Sequence, residues 1–112
     1  MSSPQAPLER ITARAYKIPT EQPESDGTLE WDSTTLVVVH AEAAGARGLG
    51  FTYADATAAR LIQERLAPQL RGLDAFATAA CWDEMVRTVR NLGATGLCSM
   101  AISAVDCALW DL

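Results

Sequence analysis

The side chains able to act as nucleophile, base or metal ligand are few, and their spacing gathers none of them. Cys81, Cys98 and Cys107 are the three cysteines. A thiolate could attack a carbonyl or bind zinc, but the chain has no CxxC pair and no Cys/His metal spacing. Cys98 and Cys107 are nine residues apart, so one helix does not place them on adjacent turns. The expectation is three small, reduced, buried thiols in a cytoplasmic protein. His40 is the single histidine and follows a valine run, which reads as a structural strand position rather than a base. Lys17 is the single lysine, also in a strand-like segment. Asp106 and Asp111 are five apart, off one helical face, with no third carboxylate to complete a metal site. Gly45, Gly48 and Gly50 fall between two strand-like runs, not before a helix, so they do not form a phosphate-cradling fingerprint. Glu21, Glu24, Asp26 and Glu30 could receive a basic group, although charge in a loop is usually just solvated.

The elements that would position these groups follow from periodicity. Residues 1–7 are polar and proline-rich and read as a flexible arm. Residues 8–18 alternate, contain β-branched residues and end at Pro19, which predicts a strand. Residues 19–33 carry two prolines, a glycine and a cluster of acids, and read as a long loop. Residues 34–44 include Leu36-Val37-Val38-Val39, apolar on both parities, and predict a strand covered on both faces. Gly45 to Gly48 reads as a turn into a third strand over 49–53. The period then changes to that of a helix. Asp55 can cap a helix over 56–66, ending before Pro68. Asp83 can cap another over 83–92, stopping at Gly93. Residues 97–112 form a last helix whose apolar stripe leaves almost no exposed face. The order predicts an α+β fold: a three-stranded antiparallel meander followed by a bundle of three to four helices.

Composition narrows the classes. One domain fits 112 residues. A net charge of −5 argues against a general nucleic-acid binder, and no apolar run is long enough to span a membrane. The start has no basic n-region or apolar h-region and does not read as a secretory signal. The last helix lacks a stop signal: Asp111 sits at the negative end of the dipole, with Trp110 and Leu112 apolar beside it. That pattern reads as a chain cut inside an element.

The stretch Met100 to Leu112, MAISAVDCALWDL, resembles a hallmark of the enolase superfamily. It looks like the junction at which the capping domain of the mandelate racemase / muconate lactonizing enzyme branch passes into a (β/α)8 barrel. RITARAYKIP, STTLVVVHAEAAG and RGLGFTYADATAARLIQERLAPQL resemble that domain's three strands and first helix, and CWDEMVRTVRNLGATGL the helix before the junction. The resemblance implies a capping domain over 8–96, a junction helix over 97–112, and a barrel absent from this chain. It implies a parent enzyme that uses Mg2+ to stabilise the enediolate formed when a proton leaves the carbon beside a carboxylate. Acid-sugar dehydration, racemisation and cycloisomerisation are the expected reactions, in a homo-oligomer. No catalytic or metal-binding residue of that branch has a counterpart here. The capping domain's share is two loops that close the barrel mouth and select substrate. They map to about 19–32 and 51–54, which gives Thr20, Trp31, Phe51 and Tyr53 as substrate-contacting candidates. Tyr53 also reads as a strand-end aromatic packed on the first helix, and Trp31 as a residue tucked under its loop. A second reading keeps the chain as a stand-alone binding or oligomerisation module, with its apolar end as the interface.

Overall fold

The computed structural model describes residues 6–112. Three antiparallel strands form one sheet in the order β1-β2-β3: β1 is Leu8–Ser25, β2 Glu30–Ala43 and β3 Ala46–Tyr53. Register fixes which side chains share a face. Thr12 pairs with His40, which pairs with Leu49; Ala13 pairs with Val39, which pairs with Gly50. One face therefore carries Ala13, Val37, Val39 and Ala41, all buried under helices. The other carries Tyr16, Leu36, Val38, His40, Leu49, Phe51 and Tyr53 and faces solvent.

The helical layer starts at α1, Thr57–Leu61. The Asp55 carboxylate accepts from the Thr57 backbone N–H at 2.9 Å and its hydroxyl at 2.7 Å, which secures the start and holds that carboxyl below its ordinary pKa. The helix does not end before Pro68. It widens into a π-helical turn, Ile62–Leu66, then continues as α2, Ala67–Leu70. The Ala67 N–H reaches back to Ile62 O, five residues away. Pro68 has no N–H to give and its ring would crowd an ordinary turn; the wide turn just ahead of it accommodates both facts. Helix α3, Thr78–Thr88, begins five residues earlier than the predicted start at Asp83 and also ends earlier. Ala79 and Ala80 favour helix strongly, so Asp83 lies inside the element rather than at its cap. Helix α4, Leu97–Asp111, follows Gly96 at φ 62° and matches its expected span.

Helix α4 packs across β3 and β2 with its backbone almost touching the sheet. A Cβ on Gly48 would overlap the Ala108 carbonyl oxygen, and one on Gly50 that of Ala104. The missing side chains of β3 make this approach possible. Ala101, Ala104, Val105 and Ala108 complete the seam. Along the opposite stripe of α4, Ser99, Ser103, Cys107 and Trp110 are exposed. Cys107 is therefore a surface thiol, not the buried one expected, whereas Cys81 and Cys98 are buried. Burial pushes the Cys81 thiol up, as do the charges of Asp74 and Asp106.

Three further expectations need correcting. Of the predicted arm, residues 1–5 lie outside the described residues; Ala6 is buried and Pro7 bridges Asp74. The Ala75 N–H donates to Ala6 O, and Leu8 exchanges bonds with Gly72 and Leu73. These bonds tie the strand entry to the helical layer. The turn between β2 and β3 is Ala44-Gly45, not 45–48. Both residues have positive φ, 51° and 76°, as a two-residue hairpin of the right twist requires. Alanine is strained there. Replacing Ala44 by glycine or asparagine is expected to raise the thermal midpoint by about 4 °C, measured by circular dichroism. An unchanged midpoint would show the strain is absent.

The predicted loop over 19–33 is a hairpin. β1 continues to Ser25 and β2 starts at Glu30, leaving Asp26 to Leu29 as the turn. Prolines 19 and 23 are tolerated because β1 is an edge strand, and the register slips between Pro19 and Glu24. The Asp26 carboxylate closes the turn, accepting from the Thr28 hydroxyl at 2.7 Å and the Thr28 and Leu29 N–H groups at 2.9 Å. These bonds, the Thr28 hydroxyl first, lower the Asp26 pKa from 3.8 to about 2. A carboxyl depressed in the folded state stabilises above its unfolded pKa and loses that contribution as pH falls through about 2. Carboxyl NMR should place its midpoint near 2; a midpoint at the ordinary 3.8 would mean the turn is open.

Candidate functional site

Beyond the helical layer the β1–β2 hairpin projects as an arm, and the molecule measures 56 × 31 × 19 Å. Residues 21–32 are exposed throughout. At the root of this arm, Ile18, Pro19, Thr20, Thr34 and Tyr53 line an open groove of about 360 Å³. Register explains the grouping: Ile18 pairs with Thr34, and Tyr53 pairs with Leu36 one step along the same face. Thr20 Oγ1 donates to Gln22 O at 2.7 Å, which fixes the start of the arm. The Tyr53 ring stands edge-on to Phe51, centroids 6.2 Å apart at 80°. Tyr53 thus faces solvent beside Phe51 and is 62 % exposed, so it is not packed under the first helix.

The structure brings together three of the four candidates. Thr20 and Tyr53 share the groove, and Phe51 supports Tyr53. Trp31 stands apart in the arm, its indole N–H donating to Glu24 Oε2 at 3.1 Å across the hairpin. It is 36 % exposed and lies on a strand of the arm rather than in a loop. Strand alternation places Trp31 on the face of β2 opposite Glu30 and Asp32. Those two acids share the solvent-side parity of Leu36 and His40.

Two features are not evident from sequence. The Asp111 carboxylate accepts from the Leu49 backbone N–H at 2.8 Å, pinning the end of α4 to the edge of β3. Its charge sits at the unfavourable end of the helix dipole, which hinted that it serves a partner elsewhere. Arg10, Arg14 and Arg47 meet His40 and Glu42 on the solvent face of the sheet. The alternation of β1 put Arg10 and Arg14 on one parity, but only the register with β3 adds Arg47.

Among the described residues, no three His, Cys, Asp or Glu side chains converge to hold a metal ion. Asp106 is half-buried on α4; burial raises its carboxyl, and a Trp110 hydrogen bond partly offsets this. Both aspartates of the helix therefore work within the fold. The arrangement offers a neutral, hydroxyl-bearing groove at the root of an acidic arm. Such a surface can shape and enclose a ligand.

Residues 10–112 match the family described as mandelate racemase / muconate lactonizing enzyme, N-terminal domain. A 3,6-anhydro-alpha-L-galactonate cycloisomerase of Streptomyces coelicolor is 34% identical over 111 residues, 94% of this chain and 31% of that protein. A mandelate racemase/muconate lactonizing enzyme-like protein from Rubrobacter xylanophilus is 47% identical, with a TM-score of 0.89, over 93% of this chain and 29% of that one. A racemase from Streptomyces coelicolor A3(2), solved with bound magnesium, is 35% identical with a TM-score of 0.90, over 94% and 31% of the two chains. The chain thus spans about a third of the length of these relatives.

Proposed function

Because the chain belongs to the N-terminal domain family of mandelate racemase and muconate lactonizing enzyme, a branch of the enolase superfamily, we propose that it caps the substrate site of a magnesium-dependent enzyme acting on an acid sugar. The parent reaction would begin with removal of a proton beside a carboxylate and end in dehydration, cycloisomerisation or racemisation. The observation that carries this reading is the match of the whole folded unit to the first domain of proteins about three times its length, one of them a sugar-acid cycloisomerase. Among the described residues no three His, Cys, Asp or Glu side chains converge on a metal site, and the ion and the bases would belong to a barrel domain.

What this chain would supply is enclosure and selectivity. The arm over 19–32 would close over the barrel mouth and exclude water. Thr20 and Tyr53 would offer the substrate hydroxyl groups, with Phe51 holding the Tyr53 ring in place. Trp31, on the other face of the arm, would wedge against the barrel. Glu30 and Asp32 share the face of Tyr53 but lie nearer the tip of the arm.

Grafting residues 8–112 in place of the corresponding third of the cycloisomerase relative tests this. The graft is expected to keep magnesium-dependent turnover. Tyr53→Ala within it should raise KM for a sugar acid about tenfold with a much smaller change in kcat. A folded, active graft whose KM ignores Tyr53→Ala and Thr20→Ala would contradict the reading.

A further inference from the structure

The groove at the root of the arm is built from hydroxyls and apolar carbon, and no cation lines it. Its walls are Ile18, Pro19, Thr20, Thr34 and Tyr53. The Thr20 hydroxyl gives its proton to Gln22 O at 2.7 Å, so toward a ligand its oxygen can only accept. The Thr34 and Tyr53 hydroxyls can donate or accept. On the same face of β2, Asp32 and Glu30 follow Thr34 toward the tip of the arm. At strand spacing they stand roughly 7 and 13 Å from it. Two other acids of the arm are engaged within it: Asp26 closes the turn and Glu24 receives the Trp31 indole N–H. Residues 19–46 contain no lysine or arginine. The two cations of β1 beside the groove are turned or set away from it. Lys17 has the opposite parity and lines a separate hollow with Pro19, Asp32 and Ser33. Arg14 shares the groove's face but stands roughly 13 Å from Ile18 along the strand, gathered with Arg10, Arg47 and Glu42.

We propose that this groove takes the uncharged, hydroxyl-bearing end of a sugar acid with a single carboxylate, and that it turns away sugar diacids. The proposal rests on the capping role above, in which the reacting carboxylate belongs to the barrel side and the far end of the substrate meets the arm. A terminal hydroxyl can donate to Thr20 Oγ1 and accept from Tyr53 or Thr34. A terminal carboxylate only accepts, so the Thr20 oxygen opposes it lone pair to lone pair. Asp32 opposes its charge as well. A like unit charge at about 7 Å in a water-like medium weakens binding about threefold, and the factor grows as the arm closes and the local dielectric falls. Glu30 lies beyond a Debye length of about 8 Å and adds less. Taking a second carboxylate out of water with no cation beside it is the larger penalty. Ile18 and Pro19 meanwhile cover the carbon-bound hydrogens of a neutral end.

Inhibition of the grafted enzyme by D-gluconate and D-glucarate provides the test. The two acids share a carbon skeleton and differ in one end group, hydroxymethyl against carboxylate. Gluconate is expected to inhibit with a Ki at least about tenfold below that of glucarate. The double variant Glu30→Gln/Asp32→Asn should narrow that ratio about threefold. Ile18→Arg sets a cation at the groove and should narrow it at least about tenfold, by favouring glucarate. All three positions are exposed, so circular dichroism should show an intact fold. Equal inhibition, inhibition by neither acid, or a ratio that either variant leaves unchanged overturns the proposal. The capping role is read separately: a graft that turns over, with a KM that follows Tyr53→Ala, keeps that role even where the two acids inhibit alike.

Discussion

Replacing Gly50 by valine is expected to abolish the fold. Helix α4 rests on β3 with no side chain between them, and a Cβ at residue 50 would overlap the Ala104 carbonyl and crowd the Ala108 nitrogen. Both obstacles are backbone in the middle of a helix, so neither can rotate away as a side chain would. The helix must lift off β3, which opens the seam of Ala101, Ala104, Val105 and Ala108. A loss of about 4 kcal/mol or more places the variant among the most damaging substitutions. Much of the stability of a domain this size would be gone. Urea denaturation followed by circular dichroism checks this. Gly27→Ala is the control: it has positive φ but open space around it, and should cost about 1 kcal/mol. Equal losses at the two positions would show that the close approach does not matter.

Leu66→Ala carries the second large effect. Leu66 is fully buried at the end of the π-helical turn. That turn is the segment of the first helix that touches β1, α3 and α4 together. Truncation there leaves a cavity bordered by three elements that are themselves held by the sheet and by the Leu8 bonds to Gly72 and Leu73. They cannot all close inward, so the loss should reach about 3–4 kcal/mol, toward the top of the range for such truncations. The midpoint of urea unfolding should fall with the slope unchanged. A loss under about 1 kcal/mol would mean the helical layer collapses freely onto the gap.

Much of the architecture was legible because burial leaves a period. The valine run of β2, the four-residue spacing from Ala58 to Leu70 and the wide stripe of α4 each named their element and their buried face. The arm was not legible, because Pro19, Pro23, Gly27 and the acids are loop residues by composition. Their tolerance in strands depends on β1 being an edge, which is a fact about the sheet rather than about the segment. The extension of the first helix past Pro68 failed for a related reason: a proline stops an α-helical turn, and the sequence does not announce the wider turn that absorbs it. Cys107 is at the surface because α4, though mostly apolar, is not covered all round: Ser99 and Ser103 mark the same exposed stripe.

The site divided along the same line. Thr20 and Tyr53 meet through strand register, which pairs Ile18 with Thr34 and Tyr53 with Leu36. The family pattern supplied their positions before any register was known. Trp31 shares the arm but sits on its other face by a single step of alternation. The arginine row needed three strands aligned at once and left no trace in any one segment.

Turnover by the purified chain itself is the most direct measurement. With Mg2+ and a panel of sugar acids, no dehydrated, racemised or cyclised product is expected, because the proposed function leaves the metal ligands and bases to a barrel domain. Product that appears with Mg2+ and vanishes on chelation would contradict it, and would require these 112 residues to hold a catalytic centre of their own.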